Sequence, residues 1–195
     1  MAMMPNDEKI NILLVDDRPE NLLAIEAIIE REDYNIIKAY SGEEALKYLL
    51  KYDFATILLD VQMPGMDGFG TAKIIKAREK TKTIPLLFIT ANNLDSEHVF
   101  MGYSVGAIDY ILKPFDPIIL KAKVDGFVGI YKMKQQLIQQ AEILEQKNRE
   151  IQHMAYHDGL TGIPNRRYLN VQLEKLLNES KKANQTFGMM YLDMD

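Results

Sequence analysis

Asp16, Asp17, Asp60, Thr90 and Lys113 have the residue types and the settings to act on one substrate. Each follows or ends a short apolar run. Asp16 and Asp17 close the run from Ile10 to Val15, and Asp60 closes the run from Ala55 to Leu59. Thr90 follows the run from Ile84 to Ile89, and Lys113 follows the run from Ala107 to Leu112. Taken singly, an Asp at a strand end is often only the cap of the next helix. Taken together, three carboxylates at one point repel one another unless a cation is present. Hard divalent ions take oxygen ligands, so the cluster predicts Mg2+. Lys113 adds a permanent positive charge and Thr90 a hydroxyl. Around one point these groups make a phosphoryl-transfer site. Asp60 would be the nucleophile, giving an acyl phosphate. The metal and Lys113 offset charge on the transferred oxygens.

Such convergence requires a particular fold. The runs at 10–15, 34–39, 55–60, 84–89 and 107–112 read as buried strands. Helical patterns separate them. Pro19 opens the first helix, whose apolar face is Leu22, Leu23, Ile25, Ile28 and Ile29. Ser41 and Glu44 form a capping box for the second, with Ala45, Leu46, Leu49 and Leu50 inward. A third helix spans about 68–80 and a fourth 95–105. Asp116 caps a fifth, with Pro117 at its first position. Alternating strands and helices indicate α/β architecture, a doubly wound parallel five-stranded sheet. The expected strand order is 2-1-3-4-5, the flavodoxin-like arrangement. Ligands then bind at the carboxyl ends of the strands, at the switch point between the first and third.

Bulk properties narrow the function classes. The 195-residue chain carries a net charge of −5, against broad nucleic-acid binding, which needs a basic surface. No DNA partner is expected. With no cysteine, disulfides, thiolate zinc sites and cysteine nucleophiles are excluded, which fits a reducing cytoplasm. No apolar run approaches the ~20 residues of a membrane span. Residues 1–9 are polar, without the apolar stretch of a secretion signal, and are expected to be a disordered tail.

The motifs V-D-D (15–17), L-L-D-V-Q-M-P-G-M-D-G (58–68), I-T-A (89–91) and D-Y-I-L-K-P-F (109–115), in this order, resemble the receiver domain of two-component response regulators. The resemblance covers about residues 10–130. It implies that Asp60 accepts a phosphoryl group from a histidine kinase. It also implies that Asp16, Asp17, Asp60 and the backbone carbonyl of Gln62 hold Mg2+, and that Thr90 and Lys113 contact the phosphoryl oxygens. Tyr110 matches the family's switch aromatic. The bond before Pro114 is expected to be cis, and Ala91 leaves room for a donor histidine.

Residues 131–157 read as a coiled-coil signalling helix. No Pro or Gly interrupts 130–156, and Ile130, Leu137, Leu144 and Ile151 recur every seven residues. With these at d, Lys134, Ala141, Asn148 and Ala155 fall at a, and a buried Asn at a favours a parallel homodimer in fixed register. Four heptads with weak a residues make a marginal coil, so dimerisation is expected to depend on the receiver's state. From Pro117 to Tyr156 the helix would be about 60 Å long.

Two glycines and Pro164 then break the helix, and Pro164 starts another with Leu169, Leu173, Leu176 and Leu177 on one face. The run Phe187 to Leu192 ends on Asp193 and Asp195. The D-G-L-T-G-I-P-N-R-R stretch (158–167) resembles the opening of a GGDEF domain, the catalytic domain of diguanylate cyclases. That likeness implies that Asp193 binds a metal. Residues 158–195 are expected to be an N-terminal, partial α/β fragment of such a domain, with the guanine-contacting residues beyond it. Binding of GTP is expected only in the full-length parent. The resulting expectation is a cytoplasmic regulator whose receiver governs, through a dimerising helix, conversion of GTP to cyclic di-GMP. The alternatives are a phosphorylation-dependent adaptor and a regulator with a degenerate, nucleotide-sensing GGDEF domain.

Overall fold

The five apolar runs form one parallel sheet, ordered β2-β1-β3-β4-β5, in the computed structural model. The structure describes residues 9–91, 109–183, 186 and 188–190. The strands are β1 (Ile10–Val15), β2 (Tyr34–Ala39), β3 (Thr56–Asp60), β4 (Leu86–Ala91) and β5 (Asp109–Lys113). The helices are α1 (Pro19–Ile29), α2 (Gly42–Lys51), α3 (Gly68–Ala77), α4 (Pro117–Tyr156) and α5 (Arg166–Ala183). The fold is the flavodoxin-like one expected, followed by the long helix. Two compact units result, residues 1–134 and 135–195.

In the first unit, side chains alternate across each strand and so build a core on each face. Leu13, Val15, Leu59 and Phe88 pack with Ala45, Leu49, Ala72 and Ile75 from α2 and α3. Ile12, Leu14, Leu58 and Ile89 pack with Leu22 and Ile25 of α1 and with Leu120, Val124 and Phe127 of α4. All five residues of β3 are buried, as the centre of a doubly covered sheet must be. Each fully buried Leu or Ile there contributes about 1.5–3 kcal/mol.

The structure corrects several local expectations. Leu23 and Leu50 are exposed. Leu22, Ile25 and Ile29 suffice for the buried stripe of α1, and Ala45 and Leu49 for that of α2; the neighbouring leucines lie about 100° around the helix. Ser41 does cap α2, its Oγ accepting from the Glu44 N–H at 3.2 Å. The return bond goes one residue further back, from the Tyr40 N–H to Glu44 Oε2 at 2.7 Å. The third helix ends at Ala77 rather than near residue 80. Strand β4 begins at Leu86, although the Pro85 carbonyl already accepts from the Ile57 N–H and the Thr56 hydroxyl of β3; Pro85 itself has no N–H to give to the ladder. The expected helix at 95–105 lies outside the described residues.

In α4, Asp116 Oδ1 accepts from the Ile118 N–H at 2.7 Å and so caps the helix start. Ile130, Leu137, Leu144 and Ile151 are all exposed. In the second unit Pro164 does not start a helix. It pairs with His157 in an isolated bridge, and α5 starts two residues later behind Asn165, whose Oδ1 accepts from the Tyr168 N–H at 3.1 Å. Asp158 Oδ1 takes three bonds, from the Leu160 and Thr161 N–H groups and the Thr161 hydroxyl. The Thr161 bonds hold its carboxyl below the usual carboxylate range. Residues 188–190 have no strand geometry; the rest of the expected strand, with Asp193, lies outside the described residues. Among the described residues no helix is long and apolar enough to cross a membrane.

Candidate functional site

Strand register brings the candidate residues to one sheet edge. Val15 pairs with Leu59, so Asp16 and Asp60 leave adjacent strands at the same level. Asp16 extends the ladder by one bond, its N–H donating to the Ala39 carbonyl at 3.2 Å. Asp60 pairs with Ile89, which places Thr90 one step beyond it on β4. Lys113 lies opposite Ala91 at the end of β5. The loop after β3 is held back by Gly68, whose N–H donates to the Val61 carbonyl at 3.0 Å. A Cβ on Gly68 would sit 2.2 Å from the Asp60 carbonyl oxygen. Only a glycine lets the start of α3 pass so close to the strand end.

Asp16, Asp17 and Asp60 each offer a carboxylate oxygen, all within 4.8 Å of one another. Asp16 and Asp60 are buried and Asp17 is half-buried. Lys113 Nζ bridges two of them, at 2.9 Å from Asp16 Oδ2 and 3.0 Å from Asp60 Oδ1. Burial pushes the Asp60 carboxyl above its ordinary range; Lys113 opposes the shift, and the charges of Asp16 and Asp17 add to it. For Lys113, burial acts downward, but its bonds to Asp16 and Asp60 outweigh burial and raise its pKa. One ammonium thus faces three carboxylates. This all-oxygen donor set, with charge left over, fits a hard divalent cation.

Thr90 is buried on β4. Tyr110 is half-buried, its ring stacked on Phe88 with centroids 5.5 Å apart, and Phe88 meets Phe69 edge-on at 4.9 Å. The Lys113-Pro114 bond is cis. Gln62 lies exposed in the loop after β3. Asn21 was missed by the sequence reading. Its side-chain amide donates to both oxygens of Asp16, each at 2.9 Å. Its position five residues past Asp16, in the first turn of the helix leaving that strand, was the available signal. Also missed was a polar network joining β2 to the root of α4. The Tyr34 hydroxyl donates to Asp125 Oδ1 at 2.7 Å, and Arg31 and Lys132 pair with Asp125 and Asp33. Cavities of about 450 and 510 Å³, lined among others by Lys9, Tyr34 and Tyr131, hold none of the strand-end groups.

A family model described as response regulator receiver domain matches residues 12–125, and one described as diguanylate cyclase, GGDEF domain, matches residues 155–195. The response regulator GtcR of Aneurinibacillus migulanus is 36% identical over 115 residues, 59% of this chain and 46% of that protein. A probable cyclic di-GMP phosphodiesterase of Vibrio cholerae is 33% identical over 142 residues, 73% of this chain and 32% of that protein. The chain therefore spans about half or less of the length of these relatives. A crystal structure of a putative response regulator from Chloroflexus aurantiacus superposes with a TM-score of 0.58 at 33% identity, covering 62% of this chain and 98% of that one. The receiver domain of a sensor histidine kinase from Pseudomonas aeruginosa, solved with a magnesium ion coordinated in its active site cleft, gives 0.56 at 29% identity, with the same coverage.

Proposed function

The chain belongs to the response regulator receiver domain family, and from that premise we propose that Asp60 is its phosphoryl acceptor. The observation that carries this is the Lys113 ammonium held between Asp16 and Asp60 at the sheet edge, with Asp17 alongside. A carboxylate oxygen of Asp60 attacks the phosphorus of a phosphohistidine on the donor kinase. The P–N bond breaks, its electron pair stays on the imidazole, and an acyl phosphate forms on Asp60. Asp16, Asp17, Asp60 and the Gln62 carbonyl hold Mg2+, which supplies charge neutralisation at the phosphoryl oxygens. Lys113, released from its carboxylate pairs, moves to a phosphoryl oxygen, and the Thr90 hydroxyl donates to another. Tyr110 follows Thr90 inward and so reports the state of Asp60.

The domains we assign are a tail at 1–9, a receiver at 10–130, a signalling helix at 131–157 and the opening of a GGDEF domain from 158. The exposed Ile130, Leu137, Leu144 and Ile151 form the seam of a parallel homodimer. Phosphorylation shifts the receiver toward the dimerising state. In the whole protein the output is synthesis of cyclic di-GMP from GTP in the cytoplasm, with Asp193 among the metal ligands. The Vibrio cholerae relative favours one second reading, a receiver that governs cyclic di-GMP breakdown. Assays of the whole protein should therefore follow both synthesis and hydrolysis.

Radiolabelled acetyl phosphate tests the acceptor. The wild-type chain should take up one phosphoryl group in the presence of Mg2+ and Asp60→Asn none. Label retained by Asp60→Asn overturns the assignment. Light scattering with and without beryllofluoride tests the switch, and an unchanged mass overturns it.

A further inference from the structure

Asp16 is held by two side chains, one cationic and one neutral. Lys113 donates to Oδ2 from β5, at 2.9 Å. Asn21 donates from α1 to both oxygens, at 2.9 Å each, and the Arg18 N–H adds a third donor to Oδ1 at 2.9 Å. A carboxylate only accepts, so the atom of Asn21 facing it must be the amide nitrogen, one of whose N–H groups is shared between the two oxygens at 2.9 Å each. This pairing fixes the plane of the carboxylate as well as its position. The Asn21 N–H itself bonds back to the Arg18 carbonyl at 3.1 Å, which ties the side chain to the first turn of α1. Asp16 is 1% exposed, so water does not compete for these bonds.

The two donors have different consequences for a cation. Lys113 stabilises the carboxylates with its own charge, and so offsets part of the negative potential that would attract a divalent cation. Asn21 orients Asp16 with no charge, and leaves the cluster's negative potential intact. We propose that Asn21 is a positioning residue for the divalent cation. It presents the Asp16 carboxylate to the Asp17 and Asp60 oxygens and keeps it there when Lys113 leaves. This rests on the reading that the three carboxylates hold a metal. Partners that orient a ligating carboxylate are worth 10–100-fold in metal affinity. Lys113 and Asn21, although both donate to Asp16, should therefore shift metal affinity in opposite directions.

The experiment is calorimetric titration of the full chain with MgCl2. It is repeated with MnCl2, read by loss of the free-Mn2+ resonance signal. Asn21→Ala should weaken both ions about 10–100-fold. Lys113→Met should tighten them. Asn21→Ala binding Mg2+ within twofold of wild type overturns the proposal, as does a weakening that tracks only a fall in metal-free melting temperature. Should Asn21→Ala not fold, Asn21→Ser carries the same comparison. A wild-type chain that binds neither ion overturns the metal reading itself, and that outcome is distinct from equal affinities in wild type and variant.

Discussion

Replacing Lys113 by Met keeps most of the side chain's volume and removes its charge. Asp16 and Asp60 then face each other, and Asp17, with no ammonium between them. Removing one partner of a buried pair costs about 3–5 kcal/mol, because the charge left behind is uncompensated. Lys113 is 25% exposed, and Asp60, already pushed up by burial, can take a proton. These two routes of relief bring the expected loss to about 2–3 kcal/mol at neutral pH without metal. At about 4 °C per kcal/mol, the melting temperature should fall by roughly 8–12 °C. Thermal melts followed by circular dichroism, with and without Mg2+, at neutral and mildly acidic pH, read the effect. Without Lys113 the folded Asp60 pKa rises further, so the variant should recover as pH falls and the carboxyl protonates. A cation at about 100 times its dissociation constant adds about 2.7 kcal/mol, and the variant should gain more from it than wild type. A variant as stable as wild type at neutral pH without metal, or a deficit indifferent to both acid and Mg2+, refutes the reasoning.

Further outcomes concern Asp60, Gly68 and the Tyr34–Asp125 pair. The folded pKa of Asp60 lies above its ordinary value, so between the two the folded chain holds a proton the unfolded chain has lost, and stability falls as pH rises through that window. Asp60→Asn, which cannot ionise, should be more stable than wild type in metal-free buffer above the window; equal melting temperatures there would contradict the electrostatic account. Gly68→Ala places a Cβ 2.2 Å from the Asp60 carbonyl oxygen and 2.8 Å from the Val61 Cα, both backbone atoms that cannot swing aside. It should cost about 1–3 kcal/mol in urea unfolding and weaken Mg2+ binding, whereas a neutral result would show that α3 slides freely. Tyr34→Phe removes the 2.7 Å bond to Asp125 and should cost about 1 kcal/mol by the same measurement. In the wild type, burial and then Asp125 hold the Tyr34 phenol above its ordinary pKa, so Asp125→Asn should lower its spectroscopic titration.

Much of this protein is legible in the chain itself because periodicity is a local property. The run from Ile57 to Leu59 is apolar on both faces, and a strand of that kind must be covered on both sides. Alternation of such strands with amphipathic helices leaves few topologies, and right-handed crossovers select the observed order. Asp16, Asp60, Thr90 and Lys113 could be singled out because each stands at the end of its strand, where a parallel sheet gathers its chemistry. Edges were less legible. Pro85 joins β3 through its carbonyl alone, having no N–H to donate, and β4 is counted only from Leu86.

What only the tertiary structure decided is which partners meet. Lys113 reaches Asp16 from 97 residues away, and no spacing rule predicts that its ammonium lies between two carboxylates. Asn21 is an ordinary polar residue in a helix's first turn until β1 and α1 are placed and its amide faces Asp16. Leu23 and Leu50 are as apolar as their buried neighbours and differ only in angle around their helices. The residue types fixed which groups could react; the electrostatic state of Asp60 depends on burial and on charges brought in by other strands, and those exist only once the sheet has formed.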